Sequence, residues 1–339
     1  MSLGKLLRLC LAAAILWSLT GMAQERVVIV GSGSNVPLRL YQAWATEFNG
    51  QNTMIQVRYL PLGTSESIQE IGQGIGDFGG GEVPLTDQQM HGPVALIPVP
   101  MVLVGIVPIY NLPGNPELNF SGELLAQIYL GNVKNWADPR IARLNPAVHL
   151  PELAITIVHR TPGKGSNYMF TNFLSKTSGQ FRAQVGTSPS PRWPFGLEAN
   201  RGEDMVEKVA TVAGAIGYVE VSFARNSRIR YGRVENSAGS FVSATAESIE
   251  AACTATEQAL PDDLRLDITN APSPRSYPLA SFTWIYVPTS GASPARRNAL
   301  KQFLNWSLRD GQKIAKGMGY APLPEGVVAK NLTIVNSLP

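Results

Sequence analysis

The stretch AITIVHRTPGKGSNYMFTNFLSK, Ala154 to Lys176, decides the fold. Its apolar start, Ala154–Val158, reads as a buried strand. Arg160, Gly163, Lys164, Gly165 and Ser166 then stand where a helix begins. A helix start presents unpaired N–H groups and a partial positive charge of about half a unit, so it attracts anions. Glycine lets the backbone come close to a ligand, and arginine offers a planar fork of donors that suits a tetrahedral oxyanion. The stretch is therefore a strand, a glycine turn and a helix built around an anion site.

The same unit recurs upstream. Val27–Val30 is a β-branched run closed by Gly31-Ser32-Gly33-Ser34-Asn35, and Pro37 opens a helix to about Phe48 with Leu40, Trp44 and Phe48 on one face. Ile55–Leu60 is the next strand; Gly63-Thr64-Ser65 ends it, and a helix follows to about Gln73. Asp77–Gly81 is a short strand running into Glu82. The alternation argues for α/β sheets flanked by helices, whose ligands bind beyond the carboxyl ends of the strands. Further on, Ala95–Val99 and Val102–Tyr110 read as two strands separated by prolines. Glu203–Val212, Ala244–Leu260 and Pro294–Arg309 read as helices, and Ala215–Val219 and Phe282–Val287 as strands.

Residues 1–23 read as a cleaved signal peptide. Lys5 and Arg8 precede the apolar run Leu9–Leu19, and Gly21-Met22-Ala23 offers small residues to a peptidase. The run is short of the roughly 20 apolar residues of a membrane span, and Cys10 is badly placed for a lipid anchor. Without the leader the chain is nearly neutral and carries no basic block, which argues against a nucleic-acid or acidic-lipid partner. Cys253 is then the sole cysteine, so no intrachain disulfide forms. With 44% hydrophobic and 16% charged residues the composition is that of a well-packed chain, and 339 residues suit two domains.

In order along the chain come Gly31-Ser32-Gly33 with Pro37 and Tyr41, Asp77-Phe78-Gly79 with Pro84-Leu85, and Ile128-Tyr129-Leu130-Gly131 with Trp136. Leu144-Asn145-Pro146, Arg160 with Gly163 and Gly165, Trp193-Pro194 and Gly214-Ala215-Ile216-Gly217-Tyr218-Val219-Glu220 follow. In this order and spacing the chain resembles the periplasmic phosphate-binding proteins of phosphate-specific ABC transporters (the PstS type), from about Val27 to Val327. The resemblance implies a two-lobed α/β fold, each lobe a mixed sheet flanked by helices, with the ligand in a cleft between them. The lobes would be residues 24–102 with 276–339, and residues 103–275.

It also implies a site. Asn35 stands where the family has a threonine, with a backbone N–H from Asn35 or Val36. Thr64 and Ser65 stand at the family serine, Glu82 at its aspartate, and Arg160 at its arginine. Pro162 replaces the aspartate that pairs with that arginine, Lys164 replaces a serine, and Ser166 a threonine; Gly165 lies between these last two. Phosphate near neutral pH still carries a proton and sulfate carries none, so a carboxylate in the site accepts from one and repels the other. Loss of the aspartate leaves Arg160 free to point wholly at the ligand and makes the site more positive than the family's.

The implied role is capture of inorganic phosphate in the periplasm by a monomeric, non-enzymatic protein that needs no cofactor and delivers its ligand to an ABC permease. Sulfate or another oxyanion on the same fold is the alternative that Pro162 and Lys164 raise; a phosphate sensor without transport is another. A secreted phosphate-ester hydrolase is a third, with little behind it. His91, His149 and His159 show no metal-ligand spacing. No Gly-x-Ser-x-Gly elbow is present, and Gly163-Lys164-Gly165-Ser166 lacks the upstream glycine of a nucleotide phosphate loop.

Overall fold

The computed structural model describes residues 26–338, so the expected leader lies outside the described residues. The strands are β1 (Val27–Gly33), β2 (Ile55–Pro61), β3 (Phe78–Gly81), β4 (Leu96–Tyr110), β5 (Asn119–Phe120) and β6 (Thr156–Arg160). They continue with β7 (Leu197–Ala199), β8 (Ala215–Glu220), β9 (Arg233–Glu235), β10 (Phe241–Val242) and β11 (Ala280–Pro288). Eight of them form one curled sheet in the order β2-β1-β3-β11-β4-β8-β6-β7, and β10-β9-β5 form a small second sheet. β1 runs parallel to β2 and β3, and β6 runs parallel to β7 and β8, while β4 and β11 are antiparallel to their neighbours. Each lobe is thus a mixed sheet with helices packed on it.

The two strands expected on either side of Pro100 are one. β4 runs unbroken from Leu96 to Tyr110. Thr283 faces Val102 and Trp284 faces Pro100, so Met101 is extruded as a bulge. Proline has no N–H to give a sheet ladder and is accepted at such a point. The carbonyls freed there are satisfied from helices: Asn331 Nδ2 donates to Pro100 O at 2.6 Å and Gln312 Nε2 to Met101 O at 2.9 Å. β4 pairs with β11 over Leu96–Gly105 and with β8 over Ile106–Tyr110, so a single strand carries the sheet from one lobe into the other.

The helix Leu38–Gln51 buries Leu40, Tyr41, Trp44, Ala45 and Phe48. Burying each large side chain on that face contributes roughly 1.5–3 kcal/mol, and Trp44 keeps its one polar atom satisfied by donating to Gly311 O at 2.7 Å. The helix expected over Ala244–Leu260 is shorter, Ala246–Thr254 followed by a single 3₁₀ turn at Glu257–Ala259. Thr245 caps its start, and the Thr254 and Thr256 hydroxyls bond back to carbonyls of the preceding turn, which weakens continuation. No described helix is long and apolar enough to cross a membrane.

Candidate anion site

Three helix starts meet between the lobes. Ser34, Asn35 and Val36 precede the helix Leu38–Gln51, Gly63 and Thr64 open the helix Thr64–Gly72, and Lys164, Gly165 and Ser166 open the helix Gly165–Thr177. Together with Arg160 these residues line one small cavity of about 10 Å³. A cavity of this size admits no organic ligand, whose sites run to roughly 300–1,000 Å³.

The first lobe builds its wall from backbone and hydroxyls. β3 is Phe-Gly-Gly-Gly, and its last glycine is obligatory because a Cβ on Gly81 would stand 2.3 Å from Thr64 Cγ2. The bare strand lets the start of the helix Thr64–Gly72 lie against it and delivers Glu82 to its end. Glu82 is fully buried; its Oε2 accepts from Ser34 Oγ at 2.7 Å and from Thr64 Oγ1 at 3.4 Å, while Oε1 has no hydrogen-bond partner. Burial pushes its pKa up to about 7; the bonds from Ser34 and Thr64 and the charge of Arg160 oppose that rise. Tyr286 bonds both backbone groups of Val83, and Tyr59 OH donates to Ser34 O at 3.1 Å, so the two turns that flank the carboxyl are pinned.

The second lobe supplies the cations. Arg160 ends β6 and is 3% exposed. Its Nε donates to Ala199 O at 3.1 Å and Nη2 to Asn200 O at 2.7 Å, which leaves Nη1, 3.4 Å from Ser166 Oγ, on the cavity side. The expectation that Arg160 points wholly at the ligand is therefore corrected. Two backbone carbonyls occupy its Nε and Nη2 donors, and they do so without neutralising the charge. Burial lowers the pKa of Arg160 from its ordinary value, yet a guanidinium stays charged. The turn after it is tied down by a second loop. Gly163 N–H reaches Pro189 O at 3.0 Å and Lys164 N–H reaches it at 3.2 Å, and buried Asn167 donates to Thr161 O at 2.9 Å and Pro189 O at 3.0 Å. That leaves the first N–H groups of the helix, on Gly165 and Ser166, without an intrahelical acceptor.

Of the nine residues singled out from sequence, Asn35, Val36, Thr64, Arg160, Lys164, Gly165 and Ser166 share the cavity wall. Glu82 sits among three wall residues, bonded to Ser34 and Thr64 and so close to Gly165 that a Cβ there would stand 1.9 Å from Oε2. Ser65 does not line the cavity: its N–H crosses the cleft to Gly163 O at 3.1 Å. Nor is the Val36 N–H free, because it donates to Ser34 Oγ at 3.1 Å. Lys164 is half-buried and Nζ reaches across to Leu62 O at 3.5 Å; burial lowers its pKa and nearby Glu66 opposes that. Sequence reasoning missed Ser34, which holds both Glu82 and the Val36 amide. The signal was the Gly33-Ser34-Asn35 turn itself, where the second serine is the residue that faces inward. It also missed Asn167, in the first turn of its helix, whose amide ties down the turn before it and accepts from Tyr218 OH. Among the described residues no group of three His, Cys, Asp or Glu could hold a metal.

Residues 20–310 match the family described as the PBP superfamily domain. The phosphate-binding protein PstS of Pasteurella multocida is 33% identical over 94% of this chain and 92% of its own length. That of Xylella fastidiosa is 34% identical over 90% and 84%. Among solved structures, a phosphate ABC transporter substrate-binding protein of Clostridium perfringens superposes with a TM-score of 0.62 at 17% identity, covering 88% of this chain and all of that one, a likeness that shows the shared fold. The chain belongs to the PBP superfamily and, within it, to the family of PstS phosphate-binding proteins.

Proposed function

We propose that this protein captures inorganic phosphate between its lobes, outside the cytoplasm, and hands it to an ABC permease for import, with no chemistry of its own. The lobes, residues 24–102 with 276–339 and residues 103–275, close on the ion. The observation that carries this reading is the pairing, around one small cavity, of a buried arginine that forms no ion pair among the described residues with a buried carboxyl whose Oε1 has no partner. Arg160 Nη1, the free N–H groups of Gly165 and Ser166, and the Ser166 hydroxyl supply donors to the ion's oxygens, while the Thr64 hydroxyl holds Glu82. Glu82 tests for a proton: ionised, it accepts from a phosphate O–H and repels an anion that has none. PstS relatives at 33–34% identity support the phosphate assignment and the permease partner.

The test is titration calorimetry of the mature protein, stripped of ligand, with phosphate and then sulfate at pH 6 and pH 8. Saturable phosphate heat is expected at both, with no sulfate heat at pH 8, where Glu82 is ionised. Comparable binding of the two anions, which the Pro162 and Lys164 replacements would favour, replaces the phosphate reading with a general oxyanion binder. Turnover of a chromogenic phosphate ester by the purified protein overturns the non-enzymatic role.

A further inference from the structure

A second positive region lies on the second lobe and shares no residue with the anion site. The segment Arg225–Arg233 wraps an open groove of about 450 Å³, lined by Arg225, Arg228, Arg230, Arg233, Glu117 and Tyr231. Four arginines less one glutamate give +3, as much as the formal net charge of the whole chain. Such clustering raises self-repulsion, so a folded chain that keeps it needs a compensating anion or bears the cost.

Most of the charge is uncommitted. Arg228 and Arg230 are exposed, and neither side chain makes a hydrogen bond or ion pair among the described residues. Arg233 Nε lies 3.3 Å from Glu117 Oε1, but that atom is buried and makes no aligned hydrogen bond. Arg225 is held, donating to Ala244 O. The scaffold beneath is fixed. Tyr110 N–H donates to Arg230 O at 3.3 Å, Gly232 N–H to Pro108 O at 3.0 Å and Arg233 N–H to Leu118 O at 2.9 Å, so the segment is pinned to β4 and to the strand of β5. Arg228 has φ +54°, a left-handed conformation that a residue with a long side chain adopts at a cost.

We infer that this groove is a binding site for a linear polyvalent phosphate, an inorganic pyrophosphate or short polyphosphate chain. Guanidinium forks pair with phosphoryl oxygens two at a time. The groove, at about 450 Å³ against about 10 Å³ for the closed cavity, has room for several linked phosphoryl groups and is open enough for a chain to run out of it. Its concave, single-acid wall suits a thin flexible polyanion better than the broad face of a folded acidic protein. The backbone that carries the arginines is already fixed, so the ordering cost of binding falls on the Arg228 and Arg230 side chains.

The experiment uses the full mature protein saturated with inorganic phosphate, so that the interlobe site is filled. Tripolyphosphate is then titrated by calorimetry, at low and at physiological salt. One saturable site is expected, weakening as salt rises. The double variant Arg228→Gln, Arg230→Gln is expected to bind tripolyphosphate about tenfold or more weakly while keeping its affinity for monophosphate, which also reports that it folds. Three outcomes overturn the inference: no saturable tripolyphosphate binding, binding unchanged in the double variant, or a glutamate-rich peptide that binds the groove as well as tripolyphosphate does.

Discussion

The two walls of the anion site are built from opposite chemistry. The first lobe contributes Ser34, Asn35, Val36, Gly63 and Thr64 around the carboxyl of Glu82, and among these only Glu82 ionises. The second contributes Arg160 and Lys164 and a bare helix start. A cationic wall attracts any small oxyanion, because long-range attraction does not read protons. A wall whose one charge is an acid pushes most anions away and spares the one that can offer it an O–H. In the function proposed above, capture and discrimination therefore fall to different lobes, and only the closed form applies both.

The largest expected effect breaks the capturing wall. Arg160→Ala removes a buried charge and is expected to weaken phosphate binding by about 2–4 kcal/mol. If the division of labour holds, any residual sulfate binding falls in the same proportion; calorimetry with both anions checks this, and unchanged phosphate affinity would take Arg160 out of the site. Arg160→Lys rescues little, since Ala199 O and Asn200 O orient a planar fork, not a point charge.

Next comes the discriminating wall. Glu82→Gln keeps the shape and removes the proton test, so the phosphate-over-sulfate ratio is expected to shrink at pH 8 more than at pH 6. The same variant reads the carboxyl's pKa through stability. Glu82 sits at about 7 in the folded protein against 4.5 for a free group. Below pH 4.5 both states are protonated. Between 4.5 and 7 the unfolded chain has lost the proton and the folded one retains it, so the folded state loses stability as pH rises. Relative to Glu82→Gln, the ligand-free protein is expected to lose about 3 kcal/mol at most across that window. Thermal melts of both proteins from pH 4 to pH 8 measure it; parallel curves would mean that Glu82 is not desolvated. Glu220, also buried and near 7, is common to both proteins and cancels in the difference.

Gly165→Ala attacks the seam between the walls. The new methyl would meet Glu82 Oε2 at 1.9 Å and Thr64 Oγ1 at 2.8 Å. Those atoms belong to the opposite lobe, so the clash penalises closure and not folding, by about 1–3 kcal/mol. Phosphate affinity is expected to fall while the ligand-free melting temperature stays put; the reverse pattern would place the strain within one lobe.

Much of this was legible in the sequence, for a physical reason. A strand, a glycine turn and a helix start leave local signatures, and these located Thr64, Arg160, Gly165 and Ser166. What was not legible depends on contacts between distant segments. Nothing near Arg160 tells that Ala199 and Asn200, some forty residues on, hold its guanidinium. Ser65 looked like its neighbour Thr64, and only the approach of Gly163 from the other lobe turned its N–H into a closure contact. β4 was split in two because prolines forbid a regular ladder, and the bulge at Met101 that rescues it is set by its partner β11.

The smallest expected effect sharpens the comparison at Lys164, which belongs to the capturing wall yet reaches the other one. Nζ is 3.5 Å from Leu62 O and near Glu66, so its charge is spent on the first lobe as well as on the ion. A half-buried pair of this kind contributes roughly 0.2–1 kcal/mol and is screened by salt. Lys164→Met is therefore expected to weaken phosphate by less than tenfold, mostly through faster release, because the lost contact exists only once the lobes have met. Stopped-flow measurement of association and dissociation separates the cases. A slower association with unchanged release would place Lys164 among the capturing charges alone and leave Ser65 N–H to Gly163 O as the stronger tie between the lobes.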